Sequence, residues 1–121
     1  MYPVFVPRAD NDGMAIAGIR MLPLAVPRAT YTGWNPRAPG YGAGTLFPLQ
    51  GAVVPFAVTR AEREAAQDPR LSLEERYPDS AAYVAAVRAA AARMVAEGLL
   101  LPKDAEHAIG LATEDRLSQL R

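Results

Sequence analysis

The sequence predicts an α+β fold in which β elements come first and helices follow. Extended apolar runs with prolines and turn residues fill roughly the first forty positions, whereas helical periodicity and capping signals fill the last sixty. A stretch rich in Gly, Pro and aromatic residues separates them. At 121 residues, we predict a single domain or domain fragment, divided into residues 1–28, 29–58 and 59–121.

Residues 1–28 are predicted to form a β-hairpin and an extended segment. Strand-favouring runs at residues 2–8 and 14–21 flank the sequence Asp-Asn-Asp-Gly at residues 10–13, which has the composition of a tight turn. Pro23 and Pro27 then favour extended backbone between them, because proline restricts both itself and the residue before it.

Residues 29–58 are predicted to form a long loop. Its glycines permit tight backbone geometry, and its aromatic side chains could anchor it to a packed surface. Loops of this length in compact domains are usually functional or packed against another part of the protein.

Two capping boxes predict two short helices in the third segment. Thr59 with Glu62 predicts a helix running to about residue 67, and Ser72 with Glu75 predicts a second one. In each box the hydroxyl side chain accepts from the first turn and the carboxylate reaches back to the cap.

The longest predicted helix covers residues 81–97 and ends at Gly98. Its apolar side chains recur at helical spacing, which indicates one buried stripe. A last helix is predicted over residues 102–109, where Gly110 interrupts it, and a further segment from Thr113 either continues as helix or frays. The last helices should pair as an αα-hairpin.

Composition excludes several classes of partner. Thirteen basic side chains balance thirteen acidic ones, so we predict neither a nucleic-acid nor a membrane partner. The chain as given has no signal peptide and no apolar run of membrane length, which predicts a soluble protein of unassigned compartment. Twelve arginines against one lysine are attributed to codon usage in a GC-rich genome.

No residue is predicted to be catalytic. Ser72 and Ser80 are better explained as helix caps, and His107, the one histidine, is predicted to be exposed or partly packed on a polar helix. Asp10 and Asp12 superficially resemble a calcium loop, but the later glutamate of such a loop is missing and a turn is favoured. We predict no metal and no cofactor.

The candidate substrate-binding residues are Tyr31, Trp34, Asn35 and Arg37. They combine two aromatic faces, an amide and a guanidinium around a glycine, a set that can line a pocket for an organic ligand. The alternative is structural: Trp34 would pin the loop to a core and Asn35 would form a turn before Pro36. Both interpretations stay open at this point.

Four runs together resemble the C-terminal section of a bacterial family of large α/β-hydrolase-domain proteins, which are esterase-like and mostly uncharacterised. The runs are DNDGMAIAGIR, AVPRATYTGWNPRAPGYGAG, LQGAVVPFAVTRAEREAAQDPRLSLEERY and AAYVAAVRAAAARMVAEGLLLPKDAE. The combination of GIR, TYTGWN, DPR and ERY within them is specific. One departure is Pro36, where the family loop usually continues with an aliphatic residue.

The resemblance implies a hydrolase whose catalytic serine and histidine lie upstream of this section. We therefore expect an incomplete piece of an α/β-hydrolase protein that is inactive alone and packs on a hydrolase domain, bordering its substrate pocket. The expected partner is that upstream domain or a second copy of the chain. The alternative is a small non-enzymatic accessory module that binds a protein partner through an exposed apolar surface.

Overall fold

The structure is a computed structural model that describes residues 5–47 and 50–114. The described residues contain five helices and two small antiparallel sheets, so the α+β fold class is confirmed. In chain order the elements are α1 (Leu22–Ala25), β1 (Ala29–Thr32), β2 (Asn35–Pro36), β3 (Leu46–Phe47), β4 (Ala52–Pro55), α2 (Arg60–Ala65), α3 (Leu73–Arg76), α4 (Ser80–Ala96) and α5 (Pro102–Thr113).

The four strands form one interrupted hairpin, which we call the β-ribbon (residues 29–47 and 50–55). β1 pairs with β4 in the inner half and β2 pairs with β3 in the outer half, both antiparallel. Gly51 lies at the interruption, where a Cβ atom would stand 2.1 Å from the backbone oxygen of Thr32. The segment predicted as a long loop therefore contains β structure, which the sequence hides because each strand has only two to four residues.

Within residues 5–21, the predicted N-terminal hairpin is present only as a tight turn, and residues 2–4 of its first predicted strand lie outside the described residues. Asp10 accepts hydrogen bonds at its Oδ1 from the backbone N–H groups of Asp12 and Met14, and one isolated bridge joins Ala9 to Ala15. The turn chemistry is confirmed, whereas the predicted second strand is absent from residues 14–21. Isolated pairing of this kind does not extend into a ladder without a buried face to support it.

α1 lies where the prolines predicted extended backbone. Pro23 falls within its first turn, where the missing N–H is not needed, and the backbone N–H of Val26 closes the turn on Leu22 O at 2.9 Å. Pro27 follows at once, so the helix stops after a single turn.

Both capping boxes are confirmed. The Thr59 hydroxyl accepts from the backbone N–H of Glu62, and the Glu62 carboxylate accepts from the N–H of Thr59. Ser72 and Glu75 make the same reciprocal pair at the start of α3. These caps depend only on residues three positions apart, which is why sequence alone predicts them.

α4 and α5 pack against each other as the predicted αα-hairpin and hold most of the core. Gly98 ends α4 with φ of 74°, and the N–H of Leu99 returns to Met94 O at 2.8 Å, as in a Schellman motif. Gly110 does not interrupt α5, which continues to Thr113 because Ala112 is buried in the shared core. That core consists of Val26, Val87, Ala90 and Ala112, with half-buried side chains from α1, α4, α5 and from Tyr77, which follows α3, around it.

Candidate functional site

The four predicted site residues lie along the β-ribbon and do not converge on one point. Tyr31 is on β1 opposite Val53, whereas Asn35 begins β2 opposite Phe47. Trp34 lies at the interruption between the halves, where its backbone oxygen accepts from the Thr32 hydroxyl at 2.7 Å.

The side chains of Tyr31, Trp34 and Asn35 are half-buried, whereas that of Arg37 is exposed. Asn35 belongs to a strand, so the turn considered for it is not formed. Its role and that of the other three in binding a ligand stays a prediction.

The outer half of the ribbon carries Arg37. The Arg37 guanidinium stands over the ring of Phe47, 5.2 Å from its centre, and the Arg37 N–H donates to Thr45 O at 3.1 Å. Beyond this pair the chain turns through a glycine-rich tip that presents Tyr41, 77% exposed.

In the inner half, Tyr31 lies near three residues that were not among the predicted site residues. We call these four residues the Arg28 cluster (Arg28, Tyr31, Tyr77 and Tyr83). The Arg28 guanidinium stands over the Tyr83 ring, 5.5 Å from its centre. Tyr77 meets Tyr83 edge to face, with ring centres 5.1 Å apart. The cluster therefore connects the start of β1 to the end of α3 and the start of α4.

Burial changes the acidity of the tyrosines in this cluster. It raises the pKa of Tyr31, an effect that the charge of Arg28 opposes and Tyr83 reinforces. It also raises the pKa of Tyr77 to about 12, although the nearby charge of Arg76 acts in the other direction. Both phenols are protonated at neutral pH, and the Tyr77 hydroxyl donates to Pro27 O at 2.9 Å.

Arg28 itself has an unusual environment. Its backbone oxygen accepts from the Phe56 N–H at 3.1 Å, while its buried Nε has no hydrogen-bond partner. A buried donor left without an acceptor costs about 1–3 kcal/mol, so such groups are rare and need an explanation. In the structure Arg28 directly precedes a buried pair, Ala29 and Thr30, but its sequence run VPRATY does not mark it as unpaired.

Two further arginines, Arg70 and Arg76, contact the ring of Phe56, and both have a structural role. Phe56 is 4% exposed, and the guanidinium carbons of Arg76 and Arg70 lie 4.1 Å and 5.3 Å from its ring centre. Arg76 forms a two-pronged ion pair with Asp12, and Arg70 pairs with Asp68 at 2.6 Å. Each of these arginines therefore has defined structural contacts, whereas the attribution of the arginine excess to codon usage stays a prediction.

The same arginines attach the β-ribbon to the helices. Arg70 Nη1 donates to the Thr30 hydroxyl and to Val54 O, both at 2.9 Å. Thr30 in turn donates to the backbone oxygen of Asp12. Residues from the N-terminal turn, both inner strands and the DPR segment are thus held in one hydrogen-bonded network.

Glu75 forms a third ion pair, with Arg63, and Ser72 is hydrogen-bonded to the same carboxylate. The Ser72 hydroxyl is fully buried and donates to Glu75 Oε2 at 2.7 Å, and Arg63 Nε donates to the same oxygen at 2.8 Å. The hydrogen bonds from the Ser72 N–H and hydroxyl, followed by that from Arg63, lower the pKa of Glu75 to about 2. A serine held in this way has no free hydroxyl for nucleophilic attack.

The remaining candidates for chemistry are dispersed over the described chain. His107 is exposed on α5. Within residues 5–47 and 50–114, no three His, Asp or Glu side chains are grouped as a metal site would require. In the same ranges no helix is both long and apolar enough to cross a bilayer. Ser118 lies outside the described residues.

Comparison with known proteins gives one match. The model of a protein family described as alpha/beta hydrolase domain matches residues 4–110, which include the β-ribbon, the Arg28 cluster and both capping boxes. No curated protein and no solved structure matches the chain. Because the matched residues cover most of its length, the chain belongs to the alpha/beta hydrolase domain family.

Proposed function

We propose that this chain is a non-catalytic portion of an esterase-like hydrolase, which packs on the catalytic domain and borders its substrate pocket with the β-ribbon. The serine and histidine of the reaction would come from that catalytic domain. Tyr31, Trp34, Asn35 and Arg37 would then face the substrate along one side of the pocket.

Two successive exposed valines on β4 carry this proposal. Val53 and Val54 are 62% and 46% exposed, and neighbouring side chains of a strand point to opposite faces. Both faces of the inner ribbon therefore present apolar surface to solvent. Ile16 and Ile19, 50% and 62% exposed, add apolar surface near the N-terminal turn. A covering domain would remove these apolar side chains from water, which is favourable.

The arrangement of the polar residues supports the same proposal. Ser72 is a buried cap, and His107 is exposed on a different helix, so these two side chains do not form a nucleophile and base pair. The strong ion pairs are likewise occupied in holding the ribbon in position. These features fit a chain that forms one side of a substrate pocket and does not supply the catalytic residues.

The exposed valines also fit the second candidate, a non-enzymatic accessory module that binds an unrelated protein. The two candidates differ in what the β-ribbon does for catalysis. In the accessory module, substitutions at Trp34 or Arg37 would leave ester hydrolysis by any partner unchanged.

Coexpression with a candidate esterase-like hydrolase domain tests the proposal. We expect the two to copurify and expect hydrolysis of a p-nitrophenyl ester to depend on the chain. Val53→Ser should weaken copurification, whereas Leu101→Ser, which removes a comparably exposed side chain (68%) from the start of α5, should not. Trp34→Ala should raise KM more than it lowers kcat. Failure to copurify, together with unchanged hydrolysis, would refute the proposal.

A further inference from the structure

The outer edge of β4 is open. Within residues 5–47 and 50–114, β4 pairs with β1 and with no other strand. The residues of β1 are buried or half-buried, whereas Val53, Val54 and Pro55 of β4 are exposed. β4 is therefore the solvent-exposed edge strand of this pair, and such an edge is a template on which another strand can pair.

The backbone of Val53 points toward this open edge. In an antiparallel pair, opposite residues alternate between those that exchange hydrogen bonds and those that do not. The Phe56 N–H donates to Arg28 O at 3.1 Å, so bonded pairs recur at every second residue from that point. Val53 falls in the alternate set, opposite Tyr31. Its N–H and C=O therefore point away from β1 and are available to another strand.

The available edge is short and uncharged. It ends at Pro55, which has no N–H and whose backbone oxygen accepts from Arg70 Nη2 at 3.3 Å. No charged residue occurs between Arg37 and Arg60 in the sequence. Charged side chains on an edge strand normally prevent pairing between copies, and β4 lacks them.

We propose that two copies of this chain pair antiparallel along β4, with a two-fold axis at Val53. The Val53 N–H of each copy donates to Val53 O of the other, so one contact satisfies both available groups. The two Val53 side chains meet on one face, and each Val54 lies opposite Ala52 of the other copy on the second face. Gly51 lies opposite Pro55, so no side chain meets the proline ring.

Charge and symmetry favour a second copy as the occupant of this edge. The net charge of the chain is zero, so two copies do not repel each other as a whole. Val53 offers one donor and one acceptor, which a partner related by a two-fold axis supplies in the reverse order. Because β4 has only 4 residues, far fewer than the roughly 20–30 residues a side of a standard interface, the dimer should be weak.

This inference goes beyond the proposed function and does not depend on it, because the dimer contains no hydrolase domain. A hydrolase domain that covered the same edge would exclude the second copy. The two proposals can fail separately: copurification tests the first, and the mass of the isolated chain in solution tests the second.

Sedimentation equilibrium of the full chain tests whether the dimer forms. We expect the average mass to rise from 13.0 kDa at about 10 µM toward twice that value at about 1 mM. A mass that stays constant over this range would overturn the proposal. In a mixture of isotope-labelled and unlabelled chains, NMR should show contacts between the Val53 methyl groups of different copies. Contacts between copies that lie elsewhere on the chain would also overturn it.

Charged substitutions at position 53 test the position of the axis. Val53 is 62% exposed, so Val53→Lys and Val53→Glu should both fold, which circular dichroism checks. Each variant alone should stay monomeric, because like charges would face each other at the axis, whereas an equimolar mixture should associate. Leu101→Lys, at a residue 68% exposed, is the matched control and should associate like the unmodified chain. Association of Val53→Lys by itself, or none in the mixture, would overturn the proposal.

Discussion

Replacing Arg76 by methionine should destabilise the protein by about 2–4 kcal/mol. Methionine keeps most of the aliphatic packing on Phe56 but removes the ion pair with Asp12, the contact between the guanidinium and the ring, and the hydrogen bond from Nε to Leu71 O. Breaking a buried ion pair from one side costs about 3–5 kcal/mol. The side chains of Arg76 and Asp12 are 14% and 20% exposed, so solvent screens part of that cost.

Comparison with the Asp12→Asn variant shows how much of the lost unfolding free energy comes from the ion pair itself. The backbone groups of Asp12 remain in place in that variant, including the N–H that donates to Asp10 and the oxygen that accepts from Thr30. The double variant should therefore show a coupling energy of about 1–3 kcal/mol between positions 12 and 76.

Urea denaturation followed by circular dichroism measures each free energy of unfolding. Arg88→Met, at an exposed position of α4, is the control and should change stability by less than about 0.5 kcal/mol. An Arg76→Met variant as stable as that control would refute the view that the arginines around Phe56 hold the ribbon to α3.

Three further predictions concern pH and glycine. Hydrogen bonds with Arg70 lower the pKa of Asp68 from 3.8 to about 2, and the pKa of Glu75 is lowered from 4.5 to about 2. The two ionised carboxylates therefore stabilise the folded protein fully above pH 4.5, and this stabilisation is lost as pH falls toward 2. Unfolding free energies that stay level between pH 5 and pH 2 would contradict this. Gly51→Ala should destabilise the protein, because the added Cβ would lie 2.1 Å from Thr32 O, and a lowered urea midpoint is the expected readout. Gly110→Ala should stabilise α5 by about 0.5–1 kcal/mol, since nothing lies within 4 Å of its Cβ position and alanine favours helix; a lower melting temperature would argue against it.

Sequence predicts the helical part of this fold well because its determinants are local. Thr59 caps α2 by accepting a hydrogen bond from the N–H of Glu62, three residues later, and the buried side chains of α4 recur at helical spacing. The low helix propensity of glycine predicts that a helix ends at Gly110. The helix continues to Thr113 instead, because the packing of α5 on α4 outweighs one unfavourable residue.

The β-ribbon and the arginine contacts could not be predicted in the same way. Thr30 pairs with Val54, and Arg76 reaches Asp12 across 64 positions, so no window of sequence contains both partners. Of the four candidate residues, Tyr31 belongs to the Arg28 cluster, whereas no pattern in the sequence marks Arg28 itself. Whether the four bind a ligand stays a prediction. An arginine without a carboxylate is visible only after the partners of the other arginines are known.

The network around Phe56 also has a consequence for how the chain folds. α4 and α5 can pair through a short connection, whereas Phe56, Asp12, Thr30 and Arg76 must be brought together from distant parts of the sequence. Closing such long loops costs chain entropy before any contact repays it. We therefore expect the amides of the helical hairpin to gain protection from hydrogen exchange first during refolding, and those of β1 and β4 to follow when the arginines close on the aromatic ring.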